Sequence, residues 1–234
     1  MAPVFPPLLR GVPSPAGVDP MAAAVADAAA NGDPGRIHYA LSGDALHAAV
    51  VLIPEVPLAD AMGAMLAVQL GLNDALGALA PPEVAVHLRW PGRLSVNGGA
   101  CGRFRAVAST TDPEAEPDWL VVGLEVTILP PPEHEPGLSP DETSLFGEGC
   151  GEVVALELLE TWSRHMLVWL HRFLTDGIAP LREAWRGKCA EIDTDVTTPE
   201  PGRFLGLDER AGMILRRPDG ATAIFSLTSM LEPR

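Results

Sequence analysis

Apolar residues alternate with polar ones, or run together briefly, at several places along the chain, and this pattern predicts β-strands. Gly, Pro, Asn or Asp residues bound most of these segments, as turn-forming residues do. The strands predicted in the first part of the chain are 37–41, 46–53, 84–89, 94–96, 103–109 and 119–129.

Apolar residues at helical spacing predict four helices between and after these strands. The predicted helices are 20–30, 57–79, 152–175 and 180–190. Asp19 followed by Pro20 fits an N-cap with proline at the first helical position. The helix 57–79 is apolar on nearly all of its surface, so we expect it to be buried against the sheet. Residues 1–18 contain several prolines, and we expect an irregular lead-in on the surface.

The last forty residues have a different pattern. Residues 194–201 form a Thr/Pro/Glu segment that reads as a linker, and three short strands follow at 203–207, 212–217 and 222–227. The sequence Pro-Asp-Gly at 218–220 is typical of a hairpin turn. These features predict two domains, 1–193 and 194–234, of which the second is a small β module.

One stretch combines structural and chemical signals. His87 to Gly99 reads as a strand end, a Trp-Pro corner, a short strand and an Asn-Gly-Gly turn. The strand after this turn carries Arg103 and Arg105, which lie on the same face because side chains alternate along a strand. Two guanidinium groups on one face suit either a solvated surface or an anion site.

Composition limits the possible partners. The chain has 16 basic and 31 acidic residues, a net charge of −15, which argues against nucleic acid or an anionic membrane. No uninterrupted apolar run reaches the roughly 18 residues of a membrane span. Three cysteines at unrelated spacings indicate neither a disulfide framework nor a zinc site. We therefore expect a cytoplasmic protein.

A possible metal-binding group lies in the proline-rich loop 130–142. Glu133, His134, Glu135 and Asp141 could supply ligands there. Such side chains in a proline-rich loop are more often solvated, so we predict no metal site.

The order of these motifs resembles the biotin/lipoate protein ligase family over most of the chain. Residues 89–93, Arg-Trp-Pro-Gly-Arg, stand where family members carry Lys/Arg-Trp-Pro-Asn-Asp. Residues 121–127 match a strand that ends in Gly-x-Gly-Ile-Asn, and 177–185 resemble a Gly-x-x-Pro-x-x-x-x-Trp segment. The resemblance implies an α+β fold in which helices flank a mixed sheet and a small SH3-like β module follows.

The resemblance also implies an activity, a two-step acyl transfer. Family members activate biotin or lipoate with ATP as an acyl-adenylate and pass the acyl group to a lysine of a carrier domain. This chain has Gly92 and Arg93 in place of the Asn-Asp pair, Ala100 at the lysine position and Thr127 at the final Asn. The family's Gly-Arg-Gly-Arg-type loop between the first two strands is also missing. These departures predict a divergent member and a pseudoenzyme candidate.

The candidate ligand-binding residues follow from the same comparison. Arg103, Arg105 and Glu125 resemble ligand-facing positions at which family members have glycine or aliphatic residues. Buried charges must pair with each other or meet a charged ligand, because desolvating one alone is unfavourable. Arg103, Arg105 and Glu125 therefore either pair with one another and fill the position of the family's ligand pocket, or bind a polar, anionic molecule. The full candidate set is Arg89, Trp90, Arg93, Arg103, Arg105, Gly123 and Glu125.

Three functional hypotheses remain open at this point. The first is a protein that binds a small polar or anionic ligand and lacks standard ATP-dependent biotin ligase activity. The second is an active biotinyl, lipoyl or octanoyl transferase acting on a carrier protein, with Cys101 as the candidate nucleophile because octanoyltransferases of this fold use a cysteine. The third is a non-catalytic partner of a biotinyl or lipoyl carrier domain.

Overall fold

The computed structural model describes residues 2–130 and 141–233. Its main feature is a seven-stranded mixed sheet in the order β1-β2-β3-β7-β6-β5-β4, in which only β1 and β2 pair in parallel. The strands are β1 Arg10–Pro13, β2 Arg36–Leu41, β3 Ala45–Leu52, β4 Val86–Arg89, β5 Arg93–Val96, β6 Gly99–Ala108 and β7 Leu120–Thr127. The helices are α1 Pro20–Asn31, α2 Leu58–Ala61, α3 Gly63–Leu79, α4 Ala155–Asp176 and α5 Ala179–Lys188.

The second sheet is antiparallel, with four strands in the order β11-β10-β9-β8. Its strands are β8 Asp195–Val196, β9 Gly202–Leu207, β10 Met213–Arg216 and β11 Thr222–Phe225, followed by a 3-10 turn at Leu227–Met230. The predicted α+β class, with a small C-terminal β module, is therefore confirmed. Buried residues of this module, Phe204 and Met213 among them, join the same core as the large sheet. The division at 193/194 remains a prediction.

The two faces of the large sheet are covered differently. Helices α3, α4 and α5 pack on one face and form the main core with residues such as Phe104 and Leu124. Helix α1 covers the other face with a small apolar cluster that includes Met21 and Val121. From Gly102 onward in β6, and along β7, even-numbered residues face the main core and odd-numbered residues face α1. Before Gly102 the pairing with β5 is irregular, and Cys101 belongs to the main core.

Helices α3 and α4 approach each other closely at Gly71. A Cβ atom at this position would lie 2.7 Å from the backbone nitrogen of Met166. Residues Leu58–Leu79 are long and apolar enough to cross a membrane, with a mean hydropathy of 1.2, but 78% of their most apolar window is buried. Their hydrophobicity is thus accounted for by the protein core.

Several local predictions were wrong. Residues 1–18 contain β1, which forms the sheet edge, where a strand tolerates proline because it needs partners on one side only. A turn at Met62 divides the predicted helix 57–79, and the apolar pattern runs through it without a break. The predicted linker 194–201 contains β8, which pairs with β9.

The predicted Asn-Gly-Gly turn is one residue shorter than expected. Asn97 and Gly98 both have positive φ angles, 49° and 95°, as in the tight two-residue turns that match the twist of a hairpin. Val96 pairs with Gly99, so β6 begins at Gly99 and includes Ala100 and Cys101.

Candidate functional site

The register of β6 and β7 places the predicted charged residues side by side on the α1 face. Arg103 lies opposite Glu125, and Arg105 lies opposite Gly123. The Arg103 guanidinium donates from Nε and Nη2 to the two oxygens of Glu125, at 2.7 and 2.9 Å. This fork geometry is the strong form of an arginine–carboxylate pair.

Arg105 is the centre of a larger cluster. Its Nη1 lies 2.7 Å from Asp19 and 3.1 Å from Glu125, and its Nη2 lies 2.8 Å from Glu232. Only 20% of the Arg105 side chain is exposed. We call Asp19, Arg103, Arg105, Glu125 and Glu232 the charged cluster.

The charges in this cluster stabilise one another. The hydrogen bonds with Glu232 raise the pKa of Arg105, an effect that outweighs the opposing effect of burial. Burial by itself raises the pKa of Asp19, but hydrogen bonds from Arg105 and the Met21 amide, together with the charge of Arg105, lower it overall. The cluster therefore holds Asp19 as a carboxylate.

The charged cluster leaves almost no space beneath it. The remaining cavity between α1 and the sheet has a volume of about 10 Å³ and is lined by Met21, Arg105, Gly123 and Glu125 among others. Gly123 is buried, and a Cβ there would lie 2.8 Å from the Met21 sulfur. A volume of this size holds about one water molecule.

A larger cavity lies next to the cluster, towards the other end of β6. Its volume is about 400 Å³. Arg103 and Glu125 belong to both features, because they pair with each other and also line this cavity. The lining includes Arg93, Cys101, Arg103, Glu125, Thr127 and Glu142.

The Cys101 thiol is buried at the cavity wall. It is 1% exposed and donates a hydrogen bond to the Thr127 carbonyl, with sulfur and oxygen 3.4 Å apart. Burial raises its pKa to about 12, and the nearby Cys150 and Glu148 add to this. A thiol with such a pKa is almost entirely protonated near neutral pH, whereas nucleophilic cysteines have a lowered pKa.

Arg89 and Trp90 line neither cavity, although Arg89 lies opposite Arg93 in the pairing of β4 and β5. The Trp90 indole is buried and donates to the Ala211 carbonyl at 3.1 Å, which ties the large sheet to the C-terminal module. Arg89 donates to the Gly98 carbonyl at 2.7 Å and lies 3.5 Å from Glu191. Both side chains are thus engaged in contacts within the protein.

No cluster of three or more potential metal ligands occurs within residues 2–130 and 141–233. Glu133, His134 and Glu135 of the predicted loop lie outside the residues that the structure describes, whereas Asp141 is exposed.

Two members of the charged cluster and one charged residue of the cavity were not predicted from the sequence. Asp19 was recognised only as the N-cap of α1, and its other carboxylate oxygen accepts from Arg105. The pairing of β5 with β6 ends at Arg103, so the later part of β6 has a free side there. Leu231 pairs with Ala106 on this side, and Glu232 thereby reaches the cluster. Glu142 enters the cavity wall through a similar bridge to Ala100. The local sequence around Glu142 and Glu232 has no feature that indicates these contacts.

The seven-stranded sheet with helices on both faces and a C-terminal β module is the fold of biotin protein ligases. A family model of the biotin/lipoate A/B protein ligase family matches residues 5–187. The chain therefore belongs to that family, and the family predicted from its motifs is confirmed.

Characterised relatives show moderate similarity. The chain is 29% identical over 163 residues to the biotin–[acetyl-CoA-carboxylase] ligase of Paracoccus denitrificans, covering 66% of this chain and 67% of that protein. It is 21% identical over 214 residues to the bifunctional ligase/repressor BirA of Bacillus subtilis, covering 85% of this chain and 62% of that protein.

Solved structures agree on the fold. A biotin protein ligase-like protein of unknown function from Silicibacter has 44% identity and a TM-score of 0.93, covering 99% of this chain and all of that one. The biotin protein ligase of Aquifex aeolicus in complex with biotin and ATP has 16% identity and a TM-score of 0.67, covering 93% of this chain and 94% of that one.

Proposed function

We propose that this protein binds a small polar or anionic molecule in the cavity of about 400 Å³ and does not catalyse ATP-dependent biotin ligation. The observation that carries the proposal is the charged cluster. Arg103, Arg105 and Glu125 stand at positions resembling the family's ligand-facing residues, and they are paired with one another and with Asp19 and Glu232.

The pairing leaves little space for biotin beneath the charged cluster. The cavity beneath the cluster is about 10 Å³, and opening it would separate Arg105 from carboxylates 2.7–3.1 Å away. Arg105 is mostly buried, so separating it from these carboxylates without a replacement partner is unfavourable. The cluster therefore acts against a bulky uncharged group at this position.

The larger cavity has cationic groups in Arg93 and Arg103, but two other features of the family's adenylation site are changed. A transferring acyl phosphate requires cationic groups and backbone donors arranged around it. The lysine position is Ala100, which lines the cavity without a charge. With the glycine-rich loop also missing, the proposal includes no adenylate chemistry.

Within the alternative of an active acyltransferase or ligase, an octanoyltransferase mechanism would use Cys101. Its burial and raised pKa of about 12 oppose nucleophilic attack, so the proposal assigns it no catalytic role. No particular contact within residues 2–130 and 141–233 supports the hypothesis of binding to a carrier domain. We also propose that the protein is cytoplasmic.

The test combines an activity assay with a binding assay. The purified protein is incubated with ATP and either biotin or lipoate, with the Paracoccus denitrificans ligase as a positive control, and acyl-adenylate is measured by mass spectrometry. We expect none from this protein. In parallel, a small-molecule library is screened by NMR on the ¹⁵N-labelled protein, and we expect binders that shift amides of β5, β6 and β7. Biotinyl-adenylate at control levels would contradict the proposal.

A further inference from the structure

The cavity wall contains two arginines that face each other across neighbouring strands. In the register of β5 and β6, Arg93 is the direct partner of Arg103. Both are exposed, and both line the cavity of about 400 Å³. Residues directly opposite in antiparallel strands have Cβ atoms about 5 Å apart, so their side chains interact.

The two charges are compensated to different extents. Arg103 is paired through Nε and Nη2 with Glu125, while 61% of its side chain remains exposed. No ion pair within 4.0 Å joins the Arg93 guanidinium to a carboxylate of residues 2–130 or 141–233. Glu191 lies near enough for the charge of Arg93 to act on its pKa, but it is paired with Arg89. Like charges directly opposite in a sheet are destabilising. An anion between Arg93 and Arg103 would relieve this repulsion.

The remaining lining determines what else the ligand must carry. Glu125 is already held by Arg103 and Arg105, whereas Glu142 is exposed and forms no ion pair with residues 2–130 or 141–233. Among residues 2–130 and 141–233, the lining contains two arginines and two glutamates, so the formal charge of these residues is 2 − 2 = 0. A polyanion would be repelled by Glu142. A molecule with one negative and one positive group could place the negative group near the arginines and the positive group near Glu142.

We infer that the cavity binds a small zwitterion, an acid that also carries an amine. Its carboxylate lies between Arg93 and Arg103, and its ammonium group faces Glu142. This inference rests on the proposed function, and it adds the chemical class of the ligand and the residues that select it.

The test uses amino acids of increasing length as probes. Glycine, β-alanine and γ-aminobutyrate are titrated into the ¹⁵N-labelled full chain and followed by NMR, with butyrate and inorganic phosphate as probes lacking the amine. We expect at least one zwitterion to shift amides around Arg93 and Glu142. It should bind about tenfold more tightly than butyrate or phosphate, because charge-assisted contacts are worth this much.

Matched variants assign the contacts. Arg93→Gln and Glu142→Gln should each weaken zwitterion binding about tenfold. Arg203→Gln removes the same charge from the exposed face of β9 and should leave binding unchanged. Equal affinity for butyrate and zwitterions, or unchanged zwitterion binding by Arg93→Gln, would overturn the inference.

Failure of the inference can be separated from failure of the proposed function. If library compounds shift the cavity amides but no zwitterion does, small-molecule binding stands and the zwitterion assignment is wrong. If neither the library nor the probes shift these amides, both are wrong. Biotinyl-adenylate formation would refute the absence of ligase activity, while Arg93-dependent binding of a zwitterion would still support the assignment.

Discussion

The two faces of β6 are buried by different kinds of contact. Towards α3 and α4, Phe104 and Ala106 pack into an apolar core. Towards α1, Arg103 and Arg105 meet carboxylates from three other parts of the chain. The apolar face is non-directional and tolerates rearrangement, whereas each charge on the other face needs a partner in a particular place. The charged face is therefore the one whose contacts depend on the exact placement of distant residues.

The largest expected effect is on the apolar face. Phe104→Ala removes a side chain that is 3% exposed, and we expect the free energy of unfolding to fall by about 3–5 kcal/mol. The matched control is Arg103→Ala, one residue earlier, where 61% of the side chain is exposed and we expect a loss of about 1 kcal/mol or less. Urea unfolding followed by circular dichroism measures both. Equal losses in the two variants would show that the apolar face of β6 contributes no more to stability than the charged face.

The second effect concerns the centre of the charged cluster. Arg105→Gln leaves Asp19, Glu125 and Glu232 without their common partner, and we expect a loss of about 1–3 kcal/mol in the free energy of unfolding. Arg217→Gln breaks a single exposed pair with Glu200 and should lower the free energy of unfolding clearly less than Arg105→Gln does. The same urea experiment compares them. If the two variants lose the same amount, Arg105 does not hold the cluster together.

The third effect is a dependence on pH. The pKa of Asp19 is lowered in the folded protein, so its ion pair contributes stability above the ordinary value of 3.8 and loses it as the pH falls through the lowered value. Asp19→Asn keeps an N-cap for α1 but removes the charge. We expect the variant to be less stable than the native protein at about pH 5, and the difference to shrink towards about pH 2.

Urea unfolding at a series of pH values measures this difference. A gap between the two proteins that stays constant below pH 4 would show that the Asp19 charge contributes nothing to the cluster.

The smallest effect tests the contribution of the C-terminal tail. Glu232 is only partly buried, with 36% of its side chain exposed, so Glu232→Gln should lower the free energy of unfolding by less than about 1 kcal/mol. The Arg105 Nε–H resonance should nevertheless shift, because Glu232 accepts from this atom at 2.9–3.0 Å. An unchanged resonance would mean that the tail does not contact Arg105 in solution.

Local features of the fold were accessible from the sequence. Alternation predicted that Arg103 and Arg105 lie on one face of β6, and that Gly123 and Glu125 lie on one face of β7. Because β6 and β7 pair with each other, these two faces belong to the same side of the sheet. The turn at Asn97 and the N-cap at Asp19 were recognisable because both depend on a few consecutive residues. Strand β1 was not, since a proline-rich segment becomes a strand only when β2 supplies its partners.

By itself, the sequence determined most of the strands and helices, the family, and the presence of Arg103, Arg105 and Glu125 near the site, because periodicity and motifs are local properties of the chain. Only the tertiary structure decided that Arg105 is enclosed while Arg93 faces an open cavity. The partners of Arg105 lie 86 and 127 residues away at Asp19 and Glu232. Whether a charge meets a protein carboxylate or a ligand depends on which distant segments fold against it.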